Sequence, residues 1–121
     1  METTGAKPNN RGGARTPVRL KQPGARMLHC LITSFGGPTK FGRLIGETLQ
    51  TVIVWRRRGA VPFKKVGEVS RALKLPPYLF NYLEVQRFTG SVPSWEAVVK
   101  KAPLSNDMKK WVLAAGGYEN D

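Results

Sequence analysis

The sequence predicts an all-α protein in which a compact five-helix domain, residues 27–90, stands between a disordered basic N-terminal arm, 1–26, and a short helical C-terminal appendage, 91–121. Along the middle of the chain, apolar residues recur at steps of three and four, the spacing that places them on one helix face. Thirteen Gly and nine Pro divide the chain into short segments. Outside the ambiguous segment 51–55, no apolar and polar alternation is long enough to predict a strand.

The charge is positive and unevenly distributed. The 121 residues carry a formal net charge of +12, and the excess lies in the arm and the central domain, because residues 91–121 hold as many acidic as basic side chains. Such a protein is attracted to polyanions such as nucleic acids and acidic membrane surfaces. The arm has almost no apolar residue before Leu20, so it cannot offset the entropy cost of ordering and is predicted to be disordered.

Composition argues against several classes of protein. No run of about 18 apolar residues could span a bilayer, and the N-terminal residues lack the apolar stretch of a secretory signal. One histidine and one cysteine, His29 and Cys30, form neither an intramolecular disulfide nor a zinc site. The glutamates have no partner histidine and no clustered metal ligands. We therefore expect a cytoplasmic protein that is not an enzyme, has no metal or cofactor, and has no membrane partner.

The first three predicted helices end at glycines. Pro38 suits the first turn of the second helix, and Thr48 is expected to cap the third. The predicted ranges are 27–35, 38–45 and 49–57, and the glycines that end them are Gly36, Gly46 and Gly59.

Two further helices complete the predicted domain. The fourth opens at Val61 and Pro62 and ends at the Pro76-Pro77 pair, and the fifth is the aromatic segment 78–83. In the appendage, Ser94 and Ser105 are expected to cap helices over 95–101 and 108–115.

The second and third helices form a pair with the features of a helix-turn-helix. Gly42 allows the helices to approach each other closely, and Gly46 takes the turn. Val52 and Trp55 are expected to anchor the third helix on the core, which leaves its outer face free. A helix exposed in this way is the element that enters a DNA major groove.

At these residues the chain resembles the phage Cro/repressor type of helix-turn-helix protein, in particular the YdaS-type Cro-like regulators of prophages. The resemblance rests on segment 39–46, on Thr48, Gln50, Val52 and Trp55, and on segment 55–62 with its arginine run and Val-Pro ending. It extends loosely to Leu83 and covers about half of the chain. It implies an all-helical domain that binds operator DNA, often as a homodimer, and regulates phage or prophage transcription at the nucleoid of a bacterial host.

The resemblance also implies which residues touch double-stranded DNA. Base edges would be read from the helix that starts near Thr48, by Leu49, Gln50, Thr51, Ile53 and Val54. Phosphates would be contacted at the start of the second helix, by Pro38, Thr39 and Lys40.

Residues Arg56, Arg57 and Arg58 are predicted to contact phosphates, because three guanidinium groups stand beside a groove-entering helix in a strongly basic domain. The alternative is a solvated helix end, where cations offset the helix dipole. For Gln50, a base contact and an ordinary surface position stay open. Trp55 is interpreted as a core anchor rather than a base-stacking residue.

Two other functions remain open on the sequence. The apolar residues Leu49, Ile53 and Val54 supply no hydrogen-bond code for bases, so the same scaffold could be an adaptor for a protein partner such as RNA polymerase or a toxin. The net charge of +12 could instead support nucleic-acid binding without sequence preference.

Overall fold

The structure is a computed structural model that describes residues 18–118, and these residues form seven α-helices and no strand. The all-α class is therefore confirmed. The compact five-helix domain predicted for 27–90 does not have a core of its own, because α6 and α7 share one buried cluster with the first five helices. The helices are α1 (Pro23–Ser34), α2 (Pro38–Ile45), α3 (Leu49–Arg58), α4 (Phe63–Leu73), α5 (Tyr82–Thr89), α6 (Trp95–Lys101) and α7 (Asn106–Ala114). Two single 3₁₀ turns, Val18–Lys21 and Pro77–Leu79, accompany them.

The first helix begins four residues earlier than predicted. Pro23 occupies its first turn, where a missing N–H costs nothing. Pro23 is buried, as is Ala25, which lies against Gly59 at the end of α3. The prediction of a disordered arm up to residue 26 is therefore wrong for residues 23–26, which belong to α1 and contact distant parts of the chain. Residues 1–17 of that arm lie outside the described residues.

The predicted fifth helix over 78–83 is also wrong. This segment is a 3₁₀ turn followed by the start of α5, and Asn81 separates the two. The side-chain oxygen of Asn81 accepts from the backbone N–H of Glu84 and caps α5. Its side-chain nitrogen donates to the carbonyl of Val61 at 2.8 Å, which ties the start of α5 to the loop before α4. From this cap, α5 runs to Thr89, beyond the predicted end at residue 83.

The last two helices have the predicted caps. The hydroxyl of Ser94 accepts from the N–H of Ala97, and that of Ser105 accepts from the N–H of Met108. Both helices contribute to the same buried cluster as the rest of the chain. Their buried members are Trp95, Val98, Val99 and Val112.

The core is centred on α1, which packs against α3 and α7. The fully buried side chains include Met27, Leu31, Phe41, Val52 and Val69, which come from four different helices. This packing fixes the position of α3 relative to α1 and α2. Over the described part of the chain, none of the helices has the length and apolar character needed to cross a membrane.

Candidate nucleic-acid interface

The turn between α2 and α3 is held by two glycines. Gly46 has φ of +74°, a left-handed conformation that glycine adopts without strain. A Cβ on Gly42 would lie 2.8 Å from the backbone oxygen of Glu47 and 3.3 Å from Cγ2 of Val52, so a side chain at this position would push the two helices apart. The N–H of Glu47 donates to the carbonyl of Gly42 at 2.8 Å and closes the turn. The sequence therefore predicted the helix pair correctly.

An ion pair fixes this turn to α4, and sequence reasoning missed it. Lys65 Nζ lies 3.5 Å from Glu47 Oε2 and 3.7 Å from Glu68 Oε2. Lys65 and Glu68 are three residues apart on one helix, a spacing that the sequence shows. The contact with Glu47 joins separate elements and has no signal in the local sequence. As a result, the only carboxylate of the α2–α3 pair is neutralised by α4.

The third helix has a buried face and an opposite outer face. Val52 is fully buried and Trp55 is 5% exposed, so both predicted anchors are confirmed as core residues. Residues three, four and seven positions apart share a helix face. The outer face opposite these anchors is formed by Gln50, Ile53, Val54 and Arg57. Gln50 and Arg57 are exposed at its ends, and the two aliphatic residues between them are half-buried.

The start of α3 is capped as predicted. The hydroxyl oxygen of Thr48 accepts from the N–H of Thr51 at 3.2 Å, and the same hydroxyl donates to the side-chain oxygen of Thr51 at 3.0 Å. The side chains of Thr48 and Thr51 are therefore engaged with each other at the start of α3. Leu49 is 41% exposed at the helix start.

The first turn of α2 faces solvent. Thr39 and Lys40 are exposed, Pro38 is half-buried in the first turn, and no side chain caps this helix. Its first N–H groups consequently keep the partial positive charge of a helix N-terminus. Sequence reasoning missed Arg43, which lies one turn after Thr39 and is also exposed. The four-residue spacing from Thr39 is the signal that could have found it.

The three consecutive arginines point in different directions, because successive residues of an α-helix are rotated by about 100°. Arg57 is exposed on the outer face with Gln50. Arg56 lies beside α1, where partial burial of the imidazole and then the charge of Arg56 lower the pKa of His29. Arg58 lines a cavity of about 260 Å³ between the end of α3 and the start of α1.

None of these cations is neutralised within the described part of the chain. Among residues 18–118, the ion pairs are those of Lys65, and Arg43, Arg56, Arg57 and Arg58 take part in none. The exposed Arg43, Arg57 and Arg58 therefore remain available to an external anion, whereas Arg56 is half-buried beside α1. Comparisons with protein-family models, curated proteins and solved structures gave no match. The resemblance to the Cro/repressor type stays a prediction from segment 39–62.

Proposed function

We propose that the protein binds the major groove of double-stranded DNA through α3 and acts as a sequence-specific transcriptional regulator, of the phage or prophage kind that its sequence resembles. In this arrangement Gln50 faces the base edges, because an amide side chain can form a bidentate contact with adenine. The exposed start of α2, with Thr39 and Lys40, would contact phosphates of the adjoining strand.

This proposal rests on one observation, which is that α3 exposes a face to solvent and has no acidic side chain. Val52 and Trp55 hold one face in the core, and the opposite face ends in exposed Gln50 and Arg57. No residue of α3 is acidic. A helix about 10–12 Å across fits a major groove about 12 Å wide, and its two sides then run along the two phosphate strands. Arg57 and Arg58 are exposed at the end of α3 and suit contacts with those strands, and Arg56 adds its charge from the side next to α1.

The test compares two triple variants that remove the same positive charge. In the first, Arg56, Arg57 and Arg58 are replaced by Ala. In the matched control, Lys100, Lys101 and Lys110, which are exposed on α6 and α7, are replaced by Ala. Affinity for a short random duplex is measured at several salt concentrations. For every phosphate that a variant no longer touches, the slope of log affinity against log salt is expected to fall by about 0.9.

We expect the arginine variant to lose slope and affinity on every duplex, and the lysine variant to stay close to the parent. Equal losses in both variants would show that only the net charge matters, as in a binder without sequence preference. The variant Gln50→Ala then tests sequence reading. It should narrow the gap between an enriched duplex and the random duplex by about 1–3 kcal/mol with the slope unchanged.

The adaptor function is the second candidate, and it is favoured by a specific observation. Leu44 of α2 is 47% exposed and Leu49 of α3 is 41% exposed, although both belong to the helix pair. A protein partner could bury these side chains. If Leu49→Asp abolishes binding of RNA polymerase or another protein while Gln50→Ala leaves DNA discrimination intact, the adaptor is the correct function.

A further inference from the structure

The middle of the outer face of α3 is formed by two aliphatic side chains, although surfaces that bind nucleic acids are mostly polar. Ile53 and Val54 lie between Gln50 and Arg57, opposite the buried Val52 and Trp55. Both keep part of their surface open to solvent in the described chain. A ligand that covers this face must therefore offer apolar groups at the middle and polar or anionic groups at the ends.

The width of the pair limits the kind of ligand. It consists of two side chains, and a guanidinium or an amide stands at each end along the helix. The flanking Arg56 and Arg58 add positive charge to both sides. A protein partner that covered this pair together with the exposed Leu49, one turn before Ile53, would have to surround its apolar contact with acidic groups. A DNA major groove offers this combination directly, because each thymine presents one C5 methyl group within a polyanion.

The spacing along the helix sets the register. Gln50 and Arg57 are seven residues apart, which corresponds to about 10 Å along the axis at 1.5 Å per residue. Stacked base pairs are separated by about 3.4 Å, so this face covers about three base-pair steps. Ile53 and Val54, three and four residues after Gln50, lie over the next one or two base pairs.

From these observations we propose that Ile53 and Val54 read thymine methyl groups, so that α3 selects duplex DNA with A·T base pairs one or two steps from the pair contacted by Gln50. This inference rests on the proposed function, since it needs α3 in the major groove. It adds the class of sequence that the helix selects. It also excludes duplex RNA as the preferred ligand, because uracil lacks the methyl group and the deep, narrow major groove of RNA does not admit side chains.

The experiment changes the DNA and leaves the folded protein intact. Duplexes are first enriched from randomised DNA by repeated binding to the full chain. In the enriched duplex, each thymine is then replaced by deoxyuridine, which removes the methyl group and leaves the hydrogen-bonding pattern unchanged. Removing a contacted methyl group should weaken binding by about fourfold, with no change in the salt slope, because no charge is altered.

Protein variants connect this loss to the two side chains. For Ile53→Ala and for Val54→Ala, replacing one of these thymines with deoxyuridine should no longer weaken binding. Leu113→Ala is the matched control, because Leu113 is an exposed aliphatic residue on α7, and it should keep the full fourfold loss. Circular dichroism checks that each variant is folded. The deoxyuridine measurements on the parent protein remain a valid test even if a variant does not fold.

The outcomes separate this inference from the proposed function. If the parent binds duplex DNA with a steep salt dependence but tolerates uracil at every thymine within twofold, or enriches duplexes without thymine near the Gln50 contact, the methyl reading is wrong and DNA binding stands. If the parent shows no salt-dependent affinity for unsubstituted duplex DNA, the proposed function fails, and this inference fails with it.

Discussion

The α2–α3 pair and the α6–α7 pair are built in the same way, yet they present different surfaces. In each pair a short turn joins two helices, and the hydroxyl of Thr48 or Ser105 caps the second helix. Each second helix also carries a tryptophan. The resemblance ends there, because Trp55 is 5% exposed in the core, whereas Trp111 is half-buried at the surface of α1.

The surroundings of Trp111 show what the C-terminal pair does. The guanidinium of Arg26 lies 4.8 Å from the Trp111 ring centroid, and one of its nitrogens donates to the backbone oxygen of Trp111 at 2.7 Å. The ring of His29 meets the same indole edge-on at 5.7 Å. Side chains of α1 therefore cover α7, while the outer face of α3 has no such cover from α1.

A short capped helix pair therefore does not by itself indicate a nucleic-acid interface. Acidic and basic residues are mixed on α6 and α7, with Glu96 and Asp107 among the lysines. On α3 there are three arginines and no acid. What distinguishes the candidate interface is its outward chemistry, since the local rules that shape both pairs are the same.

The largest expected difference between the two pairs is in the tryptophans. Trp55→Ala should reduce the free energy of unfolding by about 3–5 kcal/mol, because it empties a buried site in the core. Trp111→Ala should cost about 0.5–3 kcal/mol, because a half-buried ring leaves a smaller cavity. Urea unfolding of the two variants measures both values. If Trp55→Ala unfolds like the parent and only loses DNA binding, Trp55 is a DNA-contact residue and not a core anchor.

The second prediction concerns the close approach of the two helices in the α2–α3 pair. Gly42→Ala should reduce stability by about 1–3 kcal/mol, because the new methyl would meet a backbone oxygen at 2.8 Å. Gly67→Ala is the matched control on α4, where the nearest atom is the end of Arg71 at 3.5 Å. It should raise stability by about 0.5–1 kcal/mol, because alanine restricts the unfolded chain. Thermal melting distinguishes the two signs, and a neutral Gly42→Ala would mean that the helices can separate without cost.

The smallest expected effect is a pH dependence at the contact between α1 and Arg56. Partial burial and the charge of Arg56 lower the folded-state pKa of His29, while the unfolded chain has the usual value of about 6.5. As the pH falls through that value towards the lower folded pKa, the unfolded chain binds a proton before the folded one. The folded state consequently loses stability over this window and regains it as the pH rises.

Melting temperatures at about pH 7.5 and about pH 5 measure this effect. His29→Gln removes the titrating group and should melt with a smaller difference between the two pH values than the parent. Arg56→Gln should reduce the difference in part, because it removes only the second of the two causes. If the parent and His29→Gln show the same difference in melting temperature between the two pH values, the imidazole of His29 is fully hydrated in the folded protein.

Much of the fold could be predicted because it is local. The caps at Thr48, Ser94 and Ser105 follow from short-range chemistry, and the periodicity around Val52 and Trp55 shows which face of α3 is buried. The candidate site was predicted only as a set of residues. Helix rotation and packing decide which of these residues point in the same direction, and a hydrogen bond joins the hydroxyls of Thr48 and Thr51 at the start of α3.

Local sequence is enough to predict the all-α class, the α2–α3 helix pair and the concentration of positive charge before residue 91, because periodicity, capping and charge are properties of neighbouring residues. Local sequence does not predict where α1 begins, how Asn81 divides segment 78–83, or that Lys65 neutralises Glu47. These features depend on contacts between distant residues, such as the bond from Arg26 to Trp111, 85 positions apart. Such contacts form only when the chain folds, and their free energy then outweighs the local conformational preference of each segment.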